Sequence, residues 1–223
     1  MTQPDAPWRN FYGRRHGKTL KPSQQRYLAE DLARLSPGPV TREENPGRRP
    51  LDLDTRFGGR PVWLEIGFGG GEHLVHQAAR NPGVTLIGAE PFINGVAMLL
   101  GKIRRAGLTN VAIHPGDARD LMDVLPDASV AKAFLLYPDP WPKRKHHRRR
   151  FVTPEHLEPL ARVLAPGAEF RVAITSARRW RRCRRPASSG WPRGRRTGGG
   201  RGTTGSPRAT SRRPCARGGS RTT

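Results

Sequence analysis

The chain is predicted to fold as an α/β domain with a mostly parallel sheet and helices on both faces. Three observations predict it. Between residues 61 and 176, short apolar runs alternate with stretches of helical periodicity. A glycine-rich turn follows the first apolar run, and acidic residues stand where successive runs end. Strands alternating with helices make βαβ units, whose crossovers are right-handed and whose ligand lies beyond the carboxyl ends of the strands.

The elements follow in order. Residues 62–66 read as a buried strand, and the glycines of 67–71 turn the chain into a helix over 72–80. A second strand is expected over 85–90, then a helix over 92–106 that Gly107 closes. Residues 111–115 make a third strand, followed by a helix near 118–125. A fourth strand spans 131–137, a helix 154–164 and a fifth strand 169–174. Upstream, residues 1–60 are polar and rich in Pro, Gly and Arg, with a short helical pattern at 27–35. They are expected to be a basic, partly disordered arm. Arg9, Arg14, Arg15, Lys18 and Lys21 interleave there with Phe11, Tyr12 and His16, a composition suited to gaining order on RNA.

The 223 residues suit one such domain rather than two, and their formal charge of +23 points to a polyanionic partner. The charge is uneven: residues 1–176 hold 26 Lys and Arg against 18 Asp and Glu, whereas residues 177–223 hold 15 Arg and no acid. A nucleic-acid argument must therefore rest on the body. Both cysteines, Cys183 and Cys215, lie in the last stretch, which leaves the body without a disulfide framework or a cysteine metal site. No apolar run is long enough to span a membrane, and the first residues lack the apolar core of a secretory signal. A cytoplasmic protein, monomeric by default, is expected.

The chemistry concentrates at the strand ends. Glu65 precedes Gly67 and Gly69 in the first turn. Glycines there let a ligand approach the main chain, and a carboxylate beside them favours a cationic ligand over a pyrophosphate. S-adenosylmethionine, with its sulfonium and amino groups, is such a ligand. Glu90, about twenty residues on, is placed to accept bonds from two ribose hydroxyls. Asp117 follows the third strand, where it could take a bond from an adenine amino group or simply cap the next helix. Asp139 stands at the end of the fourth strand, fixed between Pro138 and Pro140 and followed by Trp141, Pro142 and Lys143. Trp141 suits stacking on a base, and Lys143, Arg144 and the rest of the cationic run through Arg150 suit phosphates. His146 and His147 have no carboxylate or cysteine partner at ligand spacing, so no metal is expected. Alkylating a ring nitrogen that carries a lone pair needs no base. It needs alignment, plus negative charge beside the cation that forms.

Glu65-Ile66-Gly67-Phe68-Gly69, Gly88-Ala89-Glu90, Gly116-Asp117-Ala118 and above all Pro138-Asp139-Pro140-Trp141-Pro142-Lys143 resemble the bacterial tRNA (guanine-N7-)-methyltransferases, as does Phe11-Tyr12-Gly13-Arg14-Arg15. The resemblance runs from about residue 9 to residue 172. It implies a Rossmann-like class I methyltransferase fold and methyl transfer from S-adenosylmethionine to N7 of a guanine in a tRNA variable loop. It also implies cofactor roles for Glu65, Gly67, Gly69, Glu90, Asp117 and Asp139, with Asp139 at the catalytic centre and Lys143 on the substrate.

The resemblance stops at a break in composition. Residues 178–223 use eight residue types and contain no Leu, Ile, Val or Phe, so this segment is expected to be disordered. The family pattern instead calls for an aspartate after the fifth strand, a closing helix and strands, and a Thr-x-x-Glu motif. Residues 207–211 written as CCA-CGC-GCT-ACG-AGC yield Thr-Arg-Tyr-Glu when read from the third base. The same offset permits Asp across Ala173-Ile174. A frameshift near residue 173 is therefore expected, with the last strands missing. The contrasting reading is a non-catalytic RNA-binding protein with a genuine Arg/Gly-rich tail, although its repeats and aromatics are sparse. A small-molecule methyltransferase would leave the basic run unexplained.

Overall fold

The computed structural model describes residues 10–174. Two helices, α1 (Pro22–Asp31) and α2 (Leu53–Phe57), lead into β1 (Val62–Ile66) and α3 (Glu72–Arg80). Then come β2 (Thr85–Ala89), α4 (Ile93–Ala106), β3 (Val111–His114), α5 (Ala118–Val124) and β4 (Val130–Leu136). A short 3₁₀ helix (Arg144–Arg149), α6 (Pro154–Val163) and β5 (Leu164–Ala173) complete the described chain. All four strand pairings are parallel, in the order β3-β2-β1-β4-β5. The order reverses beside β1, so the switch point lies between β1 and β4, at their carboxyl ends.

Burial explains the strands. Every residue of β2 and β3 is buried, as expected of parallel strands covered on both faces. One face carries Leu64, Ile66, Leu121, Val130, Leu135 and Leu160 in a single apolar cluster. The other gathers Leu74, Leu86, Val96, Leu99 and Ile103. Val96, Leu99, Leu100 and Ile103 recur at helical spacing along one stripe of α4. Gly107, in the left-handed conformation, ends that helix by donating its N–H to the Arg104 and Ile103 carbonyls.

Two sequence expectations are corrected. Residues 10–60 are not a loose arm. Leu35, Val40, Leu51 and Leu53 are buried in the two clusters, and α1 lies on α4, where Arg104 pairs with Glu30 and Asp31 and stacks on Tyr27. The Arg104 guanidinium holds the Asp31 carboxyl below its usual range. Four apolar side chains scattered among prolines give no local periodicity, yet each enters the core. The helix expected at 27–35 accordingly begins earlier, with Pro22 in its first turn, where the missing N–H is harmless. The fifth strand also starts earlier than expected. Leu164 pairs with Val130 before the register slips, so that Lys132 faces Glu169 and residues 165–168 bulge out. β5 remains half exposed, with Val172 and Ile174 open to solvent. Residues 1–9, the end of the expected 61–176 body, the 177–223 tail and any strands beyond β5 lie outside the described residues.

The first turn of α4 sits against the glycine turn so closely that a Cβ on Gly95 would lie 2.2 Å from the Gly69 carbonyl oxygen. Because backbone opposes backbone there, Gly95→Ala should cost about 1–3 kcal/mol. Gly83→Ala, which meets nothing within 4 Å, should be near neutral. Urea unfolding of the two variants beside the parent chain measures the contrast, and equal midpoints would contradict the packing.

Candidate functional site: the carboxyl edge of the sheet

The ends of β1, β2 and β4 and the start of α5 surround a cavity of about 360 Å³, within the range of small-ligand sites. Gly67, Glu90, Asp117, Asp139 and Trp141 all line it. Four sequence elements, read separately, are thus brought together. Gly67 and Gly69 have φ of 70° and 56°, with open space where side chains would stand. The turn therefore presents bare backbone.

Glu90 is 9% exposed and held by two main-chain donors: Gly69 N–H gives to Oε2 at 2.8 Å and Phe92 N–H gives to Oε1 at 2.9 Å. Each carboxylate oxygen keeps further acceptor capacity for a ligand. Asp117 caps α5 through Arg119 N–H at 2.9 Å, as its alternative reading anticipated, and its carboxylate also grips the Arg119 guanidinium. Arg119 extends to the Asn10 carbonyl at 3.0 Å. An adenine amino group would therefore reach Asp117 only by sharing it with Arg119.

Glu65 does not share the cavity wall. It is 2% exposed behind the glycine turn, where its Oε2 lies 2.7 Å from His73 Nδ1 on α3. The Gln77 side-chain amide nitrogen lies 3.2 Å from His73 Nε2, so the His73 ring bridges Glu65 and Gln77. Burial raises the Glu65 pKa, and the His73 bond opposes that rise. Position 73 gave no sequence signal beyond being a histidine in the first turn of a helix.

Asp139 is exposed at the cavity, in a loop whose backbone is strained: Tyr137 and Trp141 have φ of 53° and 36°. Lys143 and Arg144 are exposed at the start of the 3₁₀ helix and do not line the cavity. Arg149, from the same basic run, does line it. Its guanidinium lies 4.6 Å from the Tyr12 ring and 5.0 Å from the Trp141 ring, joining the leader to the Asp139 loop. Ile93 N–H to the Arg15 carbonyl, and Asn94 to Gly17 and Lys18, tie the same leader to the start of α4. Among the described residues, no group of three or more His, Cys, Asp or Glu could hold a metal, and no helix is long and apolar enough to cross a membrane.

A parallel sheet in this order, with a bare glycine turn after β1 and a buried acid after β2, makes a Rossmann-like nucleotide-binding domain, the architecture that class I methyltransferases share. A family model described as a putative methyltransferase matches residues 59–176. The chain is 76% identical over 170 residues to a tRNA (guanine-N(7)-)-methyltransferase of Cereibacter sphaeroides, covering 76% of this chain and 70% of that one. It is 74% identical over 172 residues to the Ruegeria pomeroyi protein of that name, covering 77% and 73%. A Caulobacter vibrioides protein, also so named, is 47% identical over 173 residues, covering 77% and 72%. The chain belongs to the tRNA (guanine-N(7)-)-methyltransferase family. Among solved structures, the 16S rRNA methyltransferase KamB aligns at 21% identity with a TM-score of 0.43, over 54% of this chain and 56% of that one.

His114, at the end of β3, is 5% exposed, and its Nε2 has no hydrogen-bond partner. Burial pushes its pKa down to about 4, below the ordinary 6.5. The unfolded chain then binds the extra proton between those values. Stability should accordingly fall as pH drops from about 6.5 towards 4, by an amount on the order of 3 kcal/mol for this group alone. Urea unfolding at pH 7 and pH 4.5 should show a smaller pH effect in His114→Gln than in the parent, and an identical effect would contradict this origin.

Proposed function

We propose that this chain transfers a methyl group from S-adenosylmethionine to N7 of a guanine in the tRNA variable loop. The carrying observation is the single cavity that joins Gly67 and Glu90 to Asp139 and Trp141 beneath a basic rim. The residues fit the cofactor: Gly67 and Gly69 leave the main chain of the turn open to close approach, and a buried carboxylate has lone pairs to spare for ribose hydroxyls. Glu65, behind the turn, adds negative charge near the cofactor's cationic end. Asp117 and Arg119 close the adenine side, and Gly69 holds Glu90 in place through its N–H.

When bound, the cofactor supplies an electrophilic methyl group to the N7 lone pair, and its sulfur keeps the bonding electrons. The protein then has no proton to remove. Asp139 serves by binding the base edge and by placing a negative charge beside the purine as it becomes cationic. Lys143 and Arg144, exposed at the start of the 3₁₀ helix, hold tRNA phosphates, and Arg148 extends that rim towards the cavity.

The altered composition after residue 177 is read as out-of-frame translation that impairs the enzyme. The family match ends at residue 176, beside that break, which supports the reading.

Removing a charged acceptor costs about 1.5–3 kcal/mol, so Glu90→Gln, at the cavity wall, should weaken S-adenosylmethionine binding roughly tenfold or more, and Glu65→Gln, behind the turn, should weaken it less. Calorimetry reads this directly, and unchanged affinity in both variants would refute their roles. A second expectation concerns the tail: a chain restored to the other frame after about residue 173 should form 7-methylguanine in unmodified tRNA faster than the 223-residue chain. Equal rates would show that the tail is genuine.

A further inference from the structure

The loop after β4 offers two aromatic rings to the cavity, and they differ in what already occupies them. Trp141 is half-buried. The Arg149 guanidinium covers it at 5.0 Å, and the His146 ring meets it edge-on at 5.7 Å and 87°. Its carbonyl oxygen also receives the Arg150 guanidinium at 2.9 Å. Trp141, expected from sequence to stack on the base, is thus a built-in part of the loop. Tyr137 is 63% exposed, and among the described residues no hydrogen bond or ring contact engages its side chain.

We propose that Tyr137, rather than Trp141, is the platform on which the target purine stacks. Three features support it. Tyr137 lines the cavity together with Asp139, two residues away. It is anchored, since its N–H donates to the Ala173 carbonyl at 2.8 Å, directly after the Leu136–Ala173 pairing of β4 and β5. And it holds a left-handed backbone with φ of 53°, a costly conformation for a bulky residue. An exposed, unpaired ring on an anchored backbone, beside a carboxylate that can bind a base edge, is a base-stacking surface. Stacking places the purine plane, and a ring that becomes cationic on methylation gains from the π face beneath it.

The inference rests on the guanine-methylating reading above. The chain has three tyrosines, Tyr12, Tyr27 and Tyr137, so full-length protein labelled with 3-fluorotyrosine gives three fluorine signals, assigned by single Tyr→Phe variants. The probe is 7-methylguanosine 5′-monophosphate. On its addition the Tyr137 signal should move upfield while the Tyr27 signal stays. Tyr137→Ala should weaken binding about tenfold, and Tyr137→Phe should restore it, because the ring and not the hydroxyl does the stacking. In tRNA methylation the alanine variant should raise KM more than it lowers kcat. A shift of Tyr12 with Tyr137 unmoved would place the base on the Tyr12–Arg149–Trp141 side and overturn the inference, as would equal affinity of a folded alanine variant. Failure to bind the nucleotide, in a chain that still methylates tRNA, overturns this inference alone. Failure of both, in the chain restored to the other frame after about residue 173 as well, removes the functional reading with it.

Discussion

Glu90 links three segments at the ligand end of the sheet, two through its carboxylate and one through its main chain. It takes N–H groups from the glycine turn after β1 and from Phe92 at the start of α4. Its own N–H binds the His114 carbonyl at the end of β3, at 3.1 Å. A buried carboxylate loses its hydration, and two charge-assisted bonds to fixed donors offset part of that loss. The glycine turn gains a defined position from the exchange. Gly95 completes the arrangement, because α4 settles against the Gly69 carbonyl only where no Cβ intervenes. The cavity therefore takes its shape from one acid and one close backbone contact, before any ligand arrives.

The basic leader is organised from the same end. Arg15, Gly17 and Lys18 bond to the start of α4, and Arg119 on α5 holds the Asn10 carbonyl while gripping Asp117. Each tie joins the leader to a helix that begins beside the cavity. Arg14 of this leader lines the cavity together with Arg148 and Arg149 of the 3₁₀ helix, so the positive charges of the two segments add there. Attraction for a polyanion acts over about 10 Å at ordinary ionic strength, so charge gathered there steers more effectively than the same charge spread over the surface.

The strands, helices and acids at the sheet edge were legible because each rests on local signals: apolar runs, a glycine turn, a glycine C-cap at 107. Glu90 and Asp139 stand at the cavity as their positions at strand ends implied. Less was legible where a role depends on partners distant in sequence. Leu35, Val40 and Leu51 look like stray apolar residues in a polar leader, and only tertiary packing makes them core. Asp117 reads equally as cap or ligand, and Arg119, two residues on, makes it chiefly a cap. Glu65 stands behind the glycine turn and not on the cavity wall, because its partner His73 lies on α3 and nothing in the sequence couples the two. Trp141 looked free for stacking because its contacts with Arg149 and His146 depend on how the loop folds back.

The prolines of that loop explain why part of the basic run is not free for RNA. Pro138, Pro140 and Pro142 have no N–H, so the segment cannot satisfy its own carbonyls by local turns. Arg150, 9% exposed, supplies the missing donors: its Nε bonds the Pro140 carbonyl at 3.0 Å and its guanidinium reaches the Trp141 carbonyl. Arg149 is committed to the rings of Tyr12 and Trp141. Two of the cations that look like phosphate contacts in sequence thus hold Asp139 in its strained loop, whereas Lys143, Arg144, Lys145 and Arg148 remain exposed. The run divides by position into a scaffold at its carboxyl end and an exposed cationic set before it. The prolines that fix Asp139 are what demand the scaffold.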